Sequence, residues 1–195
     1  MTLTPSKFFL FSSLLMSALV MPLAQAAEDI KGINLLHTAN WKAATDDFGS
    51  SFVASNPLVQ NDEIAVEFTL YKKQEGKRWP FVELVCATDT ALTGVSTLEI
   101  TYRSESDVSV KFNQSDFGSS GDGSYAHYQT VIPASDQWVT VKLDTSDFKQ
   151  PSWAPESTQK IALNLGNVKD IYLSPKLNFE TGETSTFRIK SLRVL

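Results

Sequence analysis

The 195-residue sequence is poor in the side chains that build metal centres and covalent cross-links, with one cysteine and two histidines. A single cysteine excludes an intrachain disulfide and any cysteine-cluster metal site. Two histidines are too few for a zinc site at suitable spacing, and no HExxH sequence occurs. The formal net charge of −5 lacks the basic excess that neutralises phosphates, which argues against a general nucleic-acid-binding protein.

Catalytic motifs are equally scarce. The sequence has no GxSxG elbow, no P-loop and no GxGxxG. His127 is available as a base, but nothing near it marks a nucleophile. Of the 22 acidic residues, Glu83 is the most interesting, although a carboxylate on a strand is more typical of a solvent-facing or salt-bridged residue. Cys86 ends an apolar run and is predicted to be a buried small hydrophobe. The sequence gives no positive indication of an enzyme.

The first 26 residues have the organisation of a secretory signal peptide. Lys7 provides the positive charge, residues 8–20 form the apolar run, and Ala24-Gln25-Ala26 is a small-x-small cleavage site. The apolar run is shorter than the about 20 residues that span a bilayer. We predict a signal peptide over residues 1–26, a single domain over 27–195, a secreted or periplasmic location, and no membrane association after cleavage.

The rest of the chain alternates between apolar and polar residues with the period of a β-strand and shows no sustained helical period. Turn-forming clusters separate the alternating segments. Short strands at this spacing predict an all-β antiparallel sandwich or barrel. The predicted strands are Glu63–Tyr71, Phe81–Cys86, Thr97–Arg103, Asp107–Asn113, Tyr125–Ile132, Trp138–Leu143, Lys160–Leu165, Asp170–Ser174 and Thr186–Val194.

The segment 112–153 combines aromatic residues with planar polar side chains. Sugars stack their C–H faces on aromatic rings, and their hydroxyl groups pair with amides, carboxylates and imidazoles. Strand alternation puts Tyr125, His127 and Gln129 on one face, which we predict to be open to a ligand. Tyr128 lies on the other face, and for it the core and the site remain equally good predictions.

Four further residues extend this aromatic and polar segment. Lys111 and Asn113 occupy the polar face of the preceding predicted strand, and Asp116 lies at the end of that strand. Trp153 follows Pro151 in a loop, where an indole held near a binding face is a candidate for stacking on a sugar.

The order of motifs along the chain resembles that of carbohydrate-binding modules with the galactose-binding-domain-like β-sandwich, in particular the family 11-like group. The related domain of complex I intermediate-associated protein 30 has a similar order. The resemblance covers most of residues 45–195. It rests on the segments 79–84, 92–104, 125–128, 138–141, 147–153 and 187–192.

This resemblance implies a jelly-roll β-sandwich of two antiparallel sheets, with one concave face that holds a glycan chain without chemistry. It implies a structural calcium near the chain ends, with Asp29, Asp46 and Asp47 as candidate oxygen ligands. The carbohydrate-binding residues that we predict on this basis are Tyr102, Lys111, Asn113, Asp116, Tyr125, His127, Gln129 and Trp153.

Three functional hypotheses follow. The first is non-catalytic binding of a β-glucan or similar polysaccharide by an exported stand-alone monomer, with a glycan-degrading enzyme as a partner. The second is an exported protein-interaction or assembly domain of the intermediate-associated protein 30-like type. The third is a small glycan-cleaving enzyme that uses Glu83 and an aspartate.

Overall fold

The computed structural model describes residues 32–88 and 92–195, so the predicted signal peptide and Asp29 lie outside the described residues. Within these ranges the chain forms one short α-helix, four single-turn 3₁₀-helices and ten β-strands. No helix there is long and apolar enough to cross a membrane. The α-helix is α1 (Leu35–Thr38), and the 3₁₀-helices are Gly118–Ser120, Thr145–Asp147, Thr158–Lys160 and Leu165–Asn167. The strands are β1 (Asn40–Thr45), β2 (Ser51–Gln60), β3 (Glu63–Leu70), β4 (Val82–Ala87), β5 (Thr97–Ser104), β6 (Val108–Gln114), β7 (Tyr128–Ile132), β8 (Ser135–Asp144), β9 (Val168–Pro175) and β10 (Glu183–Val194).

The strands pair into two five-stranded sheets. The front sheet has the order β1-β4-β9-β6-β7, and the back sheet has the order β2-β3-β10-β5-β8. Every neighbouring pair is antiparallel. The predicted β-sandwich of two antiparallel sheets is therefore confirmed.

The core lies between the sheets because alternate residues of each strand point inward. Ile171 and Leu173 of β9 have no exposed surface, and Phe112 of β6 stacks on Phe148 with 4.2 Å between ring centroids. Each such side chain contributes roughly 1.5–3 kcal/mol of hydrophobic stabilisation. Cys86 of β4 is also fully buried, and this burial raises the pKa of its thiol. The prediction that Cys86 is a buried hydrophobe is confirmed.

The sequence patterns miss strands β1 and β2, which lie at the edges of the two sheets. β2 is mostly exposed along its length, so its residues show no clean alternation between apolar and polar. Each edge strand has a neighbour on one side only and is covered less than the central strands. β1 and β2 are therefore recognised by their pairing with β4 and β3, whereas the other two edge strands, β7 and β8, overlap strands predicted from the sequence.

The prediction of a strand over Lys160–Leu165 is wrong. The segment follows a 3₁₀-helix, and its backbone groups form hydrogen bonds with a side chain instead of with a neighbouring strand. The amide of Gln114, only 1% exposed, replaces the missing backbone neighbour. Its Oε1 accepts a hydrogen bond from the Asn164 backbone N–H (2.7 Å), and its Nε2 donates to the Ala162 carbonyl (3.2 Å). A buried glutamine can satisfy both a donor and an acceptor of the main chain.

Tyr102 is a core residue, so its predicted role in binding sugar is wrong. It lies on β5 of the back sheet with no exposed surface, and its hydroxyl donates a hydrogen bond to the Pro133 carbonyl (2.6 Å). The ring packs 6.3 Å from that of Phe187 on β10. Alternation already places Tyr102 on the same face as Leu98 and Ile100, which both face the core.

Replacing Tyr102 by alanine should reduce the free energy of unfolding by about 3–5 kcal/mol, because it removes a buried ring and leaves a cavity. Tyr125→Ala removes the same atoms from a side chain that is more than half exposed, so it should cost clearly less than Tyr102→Ala. Urea unfolding of both variants measures the difference. Equal losses of stability in the two variants would contradict the core assignment of Tyr102.

Candidate functional site

The outer face of the front sheet carries a row of side chains that crosses four strands. The strand register aligns Val85 of β4 with Tyr172 of β9, Tyr172 with Lys111 of β6, and Lys111 with Gln129 of β7. These residues alternate with core residues and therefore point away from the other sheet. Tyr172 lies at the centre of this front face, between a valine and a lysine.

Shorter rows lie on both sides of Tyr172. Asp170 is aligned with Asn113 in one of these rows, and Ser174 is aligned with Ser109 in the other. Five strands at a spacing of about 4.8 Å give a sheet about 19 Å wide. The front face therefore offers an elongated polar surface with an aromatic ring at its centre.

A partly buried ion pair fixes one side of the front face. Lys111 Nζ donates a hydrogen bond to Glu83 Oε1 (2.8 Å), and Ser174 Oγ donates to the same oxygen (2.9 Å). The ion pair spans β4 to β6, with Ser174 on the intervening β9. The side chains of Glu83 and Lys111 are only 14% and 22% exposed, so each head group is held in a single geometry. The prediction that Glu83 is a salt-bridged strand residue is confirmed.

On the other side of Tyr172, Asn113 Nδ2 donates a hydrogen bond to Asp170 Oδ2 (2.6 Å). The two residues are aligned across β6 and β9. A short hydrogen bond between an amide and a carboxylate orients both planar groups, while the remaining oxygens stay available to other donors. Lys111 and Asn113 are thus confirmed as residues of the polar face of their strand.

An aromatic cluster adjoins Tyr172 at the end of the face where β7 begins. The imidazole of His127 lies edge-on to three rings, with centroids 5.6 Å from Tyr172, 5.8 Å from Phe117 and 6.3 Å from Tyr125. Tyr125 and Tyr172 therefore contact the same histidine. The packing of His127 ties the ring of a loop residue to the ring at the centre of the sheet.

Tyr125 presents the exposed ring of this cluster, with 55% of its surface accessible. It is not in a strand, because β7 begins only at Tyr128, and its backbone has the left-handed φ of 56°. Such a conformation is costly for a bulky residue and persists only where the surroundings impose it. The ring lies against Gly118, where the β-carbon of any other residue would come within 3.1 Å of it. Glycine at position 118 therefore makes room for the tyrosine.

His127 is buried, so its predicted place on an open face is wrong. Only 5% of its surface is accessible, and Nδ1 has no hydrogen-bond partner within the described part of the chain. Burial lowers the pKa of the imidazole to about 4, and the nearby Lys111 ammonium adds to this effect. The imidazole is therefore neutral at pH 7, and it packs against the rings of Tyr125 and Tyr172.

Tyr172 is half-buried on the front face. Burial, together with the nearby carboxylates of Asp170 and Glu83, raises the pKa of its phenol. The phenol therefore stays protonated over the physiological range. It can both donate and accept a hydrogen bond while its ring offers an apolar surface.

Three further predicted residues lie at or beyond the margin formed by β7. Gln129 pairs with Lys149 through two backbone hydrogen bonds of 2.9 Å, so the segment around Lys149 covers the β7 edge. Trp153 follows that segment and is 62% exposed. Asp116 accepts a hydrogen bond from Asn167 Nδ2 (3.0 Å), and this bond lowers the pKa of its carboxyl group. Asp116 thus fixes a loop, and no contact brings Trp153 onto the sheet face among the described residues.

The calcium prediction is not tested by the structure. Asp46 uses its carboxylate to accept hydrogen bonds from the backbone N–H groups of Phe48 (3.0 Å), Ser50 (3.3 Å) and Phe81 (3.1 Å). Burial alone would raise the pKa of Asp46, but these hydrogen bonds lower it. Within residues 32–88 and 92–195, no three acidic, histidine or cysteine side chains gather in a metal-holding arrangement. A calcium bound by Asp29, Asp46 and Asp47 stays a prediction.

Sequence reasoning misses the residues of β9 on the front face, although it predicts β9 itself. Asp170, Tyr172 and Ser174 alternate with Ile171 and Leu173, which are apolar and buried. The alternation rule that selects Lys111 and Asn113 is able to find them as well. What the rule cannot show is that β9 lies between β4 and β6, at the centre of the sheet.

The fold defined by these two sheets is the β-sandwich of carbohydrate-binding modules, which confirms the resemblance seen in the sequence. No protein-family model matches the chain, and no curated protein matches it. The match is to solved structures. A family 11 carbohydrate-binding module from Clostridium thermocellum, in complex with a β-1,3-1,4-mixed-linked tetrasaccharide, superposes with a TM-score of 0.58 at 14% identity over 80% of this chain and 88% of that chain. The family 11 module of the cellulosomal cellulase Lic26A-Cel5E from the same organism gives a TM-score of 0.56 at 14% identity, over 80% and 87% of the two chains.

The burial of His127 predicts a pH-dependent stability. An unfolded chain binds a proton at this residue below pH 6.5, whereas the folded chain binds it only below about pH 4. The free energy of unfolding should therefore fall as the pH is lowered through this window, by on the order of 3 kcal/mol, with no contribution from His127 above it.

Urea unfolding between pH 7 and pH 4 measures this slope. His127→Phe keeps an aromatic ring in place and should reduce the slope, because the titrating group is gone. A parental slope retained in His127→Phe would contradict the assignment.

Proposed function

We propose that this protein binds a neutral polysaccharide, a β-glucan or a similar chain, on the front face without cleaving it. The observation that carries the proposal is the exposed aromatic ring of Tyr125 beside the half-buried ring of Tyr172, with polar side chains held on both sides. Aromatic rings take the C–H faces of sugars, while fixed amides, hydroxyls and carboxylates take their hydroxyl groups.

The preorganisation of the polar groups supports this proposal. Lys111 is fixed on Glu83, and Asn113 is fixed on Asp170, before any ligand arrives. Groups that are already ordered lose little conformational entropy on binding. An elongated face about 19 Å wide suits a chain gripped along its length better than a single sugar. The complex of the family 11 module with a mixed-linked β-glucan tetrasaccharide supports a β-glucan as the first ligand to test.

The state of Glu83 favours binding over catalysis. Oε1 of this carboxylate already accepts hydrogen bonds from a lysine and a serine. A catalytic carboxylate must present its oxygens to the substrate, and here Lys111 and Ser174 already occupy Oε1. We therefore propose that any cleavage of the bound polysaccharide belongs to a separate glycan-degrading enzyme. If this proposal is right, the parent chain and Glu83→Gln both release no reducing sugar from the bound polysaccharide.

Affinity gel electrophoresis with mixed-linkage β-glucan tests the binding face. Tyr125→Ala and Tyr172→Ala should each weaken retention roughly tenfold, which corresponds to a contact of about 1.4 kcal/mol. Phe52→Ala removes a comparably exposed ring from the back sheet and should migrate like the parent. Circular dichroism of each variant separates lost binding from lost folding.

Unchanged mobility of the parent in a panel of neutral polysaccharides would contradict the proposal and favour the protein-interaction domain instead. Equal retention of the parent and both tyrosine variants would place any glycan binding somewhere other than the front face.

We also propose that the chain is exported after removal of residues 1–26. Lys7, the apolar run over residues 8–20 and the Ala24-Gln25-Ala26 site support this. Mass spectrometry of protein recovered from the periplasm and the medium of an expressing bacterium should show a new N-terminus at Ala27. Replacing Ala24 and Ala26 by bulky residues should block this cleavage. Recovery of only the uncleaved chain from the parent would contradict the proposal.

A further inference from the structure

A second group of exposed aromatic rings lies at one end of the sandwich, in loops that the front face does not use. Trp79, in the loop between β3 and β4, is 63% exposed. Its ring meets that of Phe179, in the loop between β9 and β10, with 4.8 Å between centroids and an interplanar angle of 82°. We call this pair the end platform. The exposed indole, packed on a second ring, offers an apolar surface on which a ligand can stack.

Lys73 holds the end platform in place. Its Nζ lies 5.1 Å from the centroid of the Trp79 ring and donates hydrogen bonds to the carbonyls of Lys77 and, at 3.5 Å, Arg78. Its backbone N–H donates to the Phe179 carbonyl (2.6 Å). One lysine therefore ties both loops together. The indole is presented in a fixed position, which lowers the entropic cost of binding a ligand.

A cavity of about 400 Å³ is lined by residues that adjoin the two platform loops in the chain, although neither Trp79 nor Phe179 lines it. The same two loops line it, because Lys72 precedes Lys73, and Thr181 follows Phe179 by two residues. Its walls also include Tyr71 and the hydroxyl groups of a Thr69–Thr184 pair, 3.0 Å apart on β3 and β10. Cavities of this size bind small polar molecules or single units of a polymer.

The β3–β4 loop of the end platform is positively charged, although the whole chain has a net charge of −5. The other loop and the start of β10, residues 176–183, carry Lys176 against Glu180 and Glu183, so the cations available to an anion lie on the Trp79 side. Residues 71–81 include four cations, Lys72, Lys73, Lys77 and Arg78, and one acid, Glu75. Lys73 is committed to backbone carbonyls. Arg78 approaches Asp47 at 3.9 Å, but both side chains are at least 80% exposed, so this pair is weak. Lys72, Lys77 and Arg78 remain available to an anionic ligand.

We infer that the end platform and its cavity form a second saccharide site, selective for polysaccharides that carry carboxylates, such as polyuronates. One sugar unit stacks on Trp79, and its carboxylate pairs with Lys72, Lys77 or Arg78. The threonine hydroxyls of the cavity accept and donate hydrogen bonds to sugar hydroxyls. This site is separate from the front face and does not depend on the function proposed for it.

A polyuronate fits this site better than an anionic membrane. A lipid surface is bound by side chains that project freely into it, with an apolar face that inserts between lipids. Here the aromatic rings are fixed edge to face, and the neighbouring cavity is lined by hydroxyls and by Glu183. The Glu183 carboxylate in the cavity can accept hydrogen bonds from sugar hydroxyls, whereas the uronate carboxylate pairs with Lys72, Lys77 or Arg78 and not in the cavity.

Isothermal titration of the full chain with polygalacturonate tests the inference. Trp79→Ala should weaken binding roughly tenfold, which equals about 1.4 kcal/mol, and the double variant Lys77→Gln and Arg78→Gln should weaken it by at least as much. Lys142→Gln, an exposed lysine on β8 of the back sheet, is the matched control and should bind like the parent. Binding by the parent should also weaken with added NaCl and with carboxyl-reduced polymer, because both remove charge attraction.

The retention of Trp79→Ala on mixed-linkage β-glucan should equal that of the parent, whereas Tyr172→Ala should keep its polygalacturonate affinity. This pair of results distinguishes failure of the second site from failure of the front face. Polygalacturonate binding that is absent, or unchanged in both the Trp79 and the Lys77/Arg78 variants, would overturn the inference. So would sedimentation with phosphatidylserine vesicles that is lost in the same variants while polygalacturonate does not bind.

Discussion

The register of β9 is the constraint on which the front face depends. This strand lies between β4 and β6, and its alternation sends Ile171 and Leu173 into the core and Tyr172 outward. A slip of one residue would bury Tyr172 and expose the two apolar residues, so the core itself fixes the position of the site. The same register brings Ser174 beside Glu83 and Asp170 beside Asn113. Packing in the core therefore orders the polar groups on the surface.

The aromatic cluster adds a second level of order at the junction between sheet and loop. His127 is buried between Tyr125, Tyr172 and Phe117, and its Nδ1 has no hydrogen-bond partner among residues 32–88 and 92–195. Burying a polar atom without a partner costs on the order of 1–3 kcal/mol. The left-handed backbone of Tyr125 adds a further cost. These two free-energy costs accompany the placement of an exposed ring next to the centre of the sheet. Local features that lower stability in this way are expected at a site selected for binding rather than for stability.

Predictions from the sequence succeeded where a strand is covered on one face and exposed on the other. Strands β3, β5, β6 and β9 show this pattern, and so do the outward positions of Lys111 and Asn113. They failed at the edge strands β1 and β2, and β2 is mostly exposed along its length, which removes the alternation there. They failed again at His127, because a segment that looks like a strand by alternation is a turn in the structure, where the rule that assigns faces does not apply.

The sequence by itself determined the all-β class and the polar character of one face of β6, because strand alternation is a local property of the chain. Only the tertiary structure decided which strands become neighbours. Sheet order, and not sequence distance, brought Glu83 to Lys111 and Asp170 to Asn113. It also put Tyr102 in the core of the opposite sheet and joined the loops of Trp79 and Phe179. Contacts between residues far apart in the chain follow from how the two sheets bury their apolar faces together, and no local pattern encodes that arrangement.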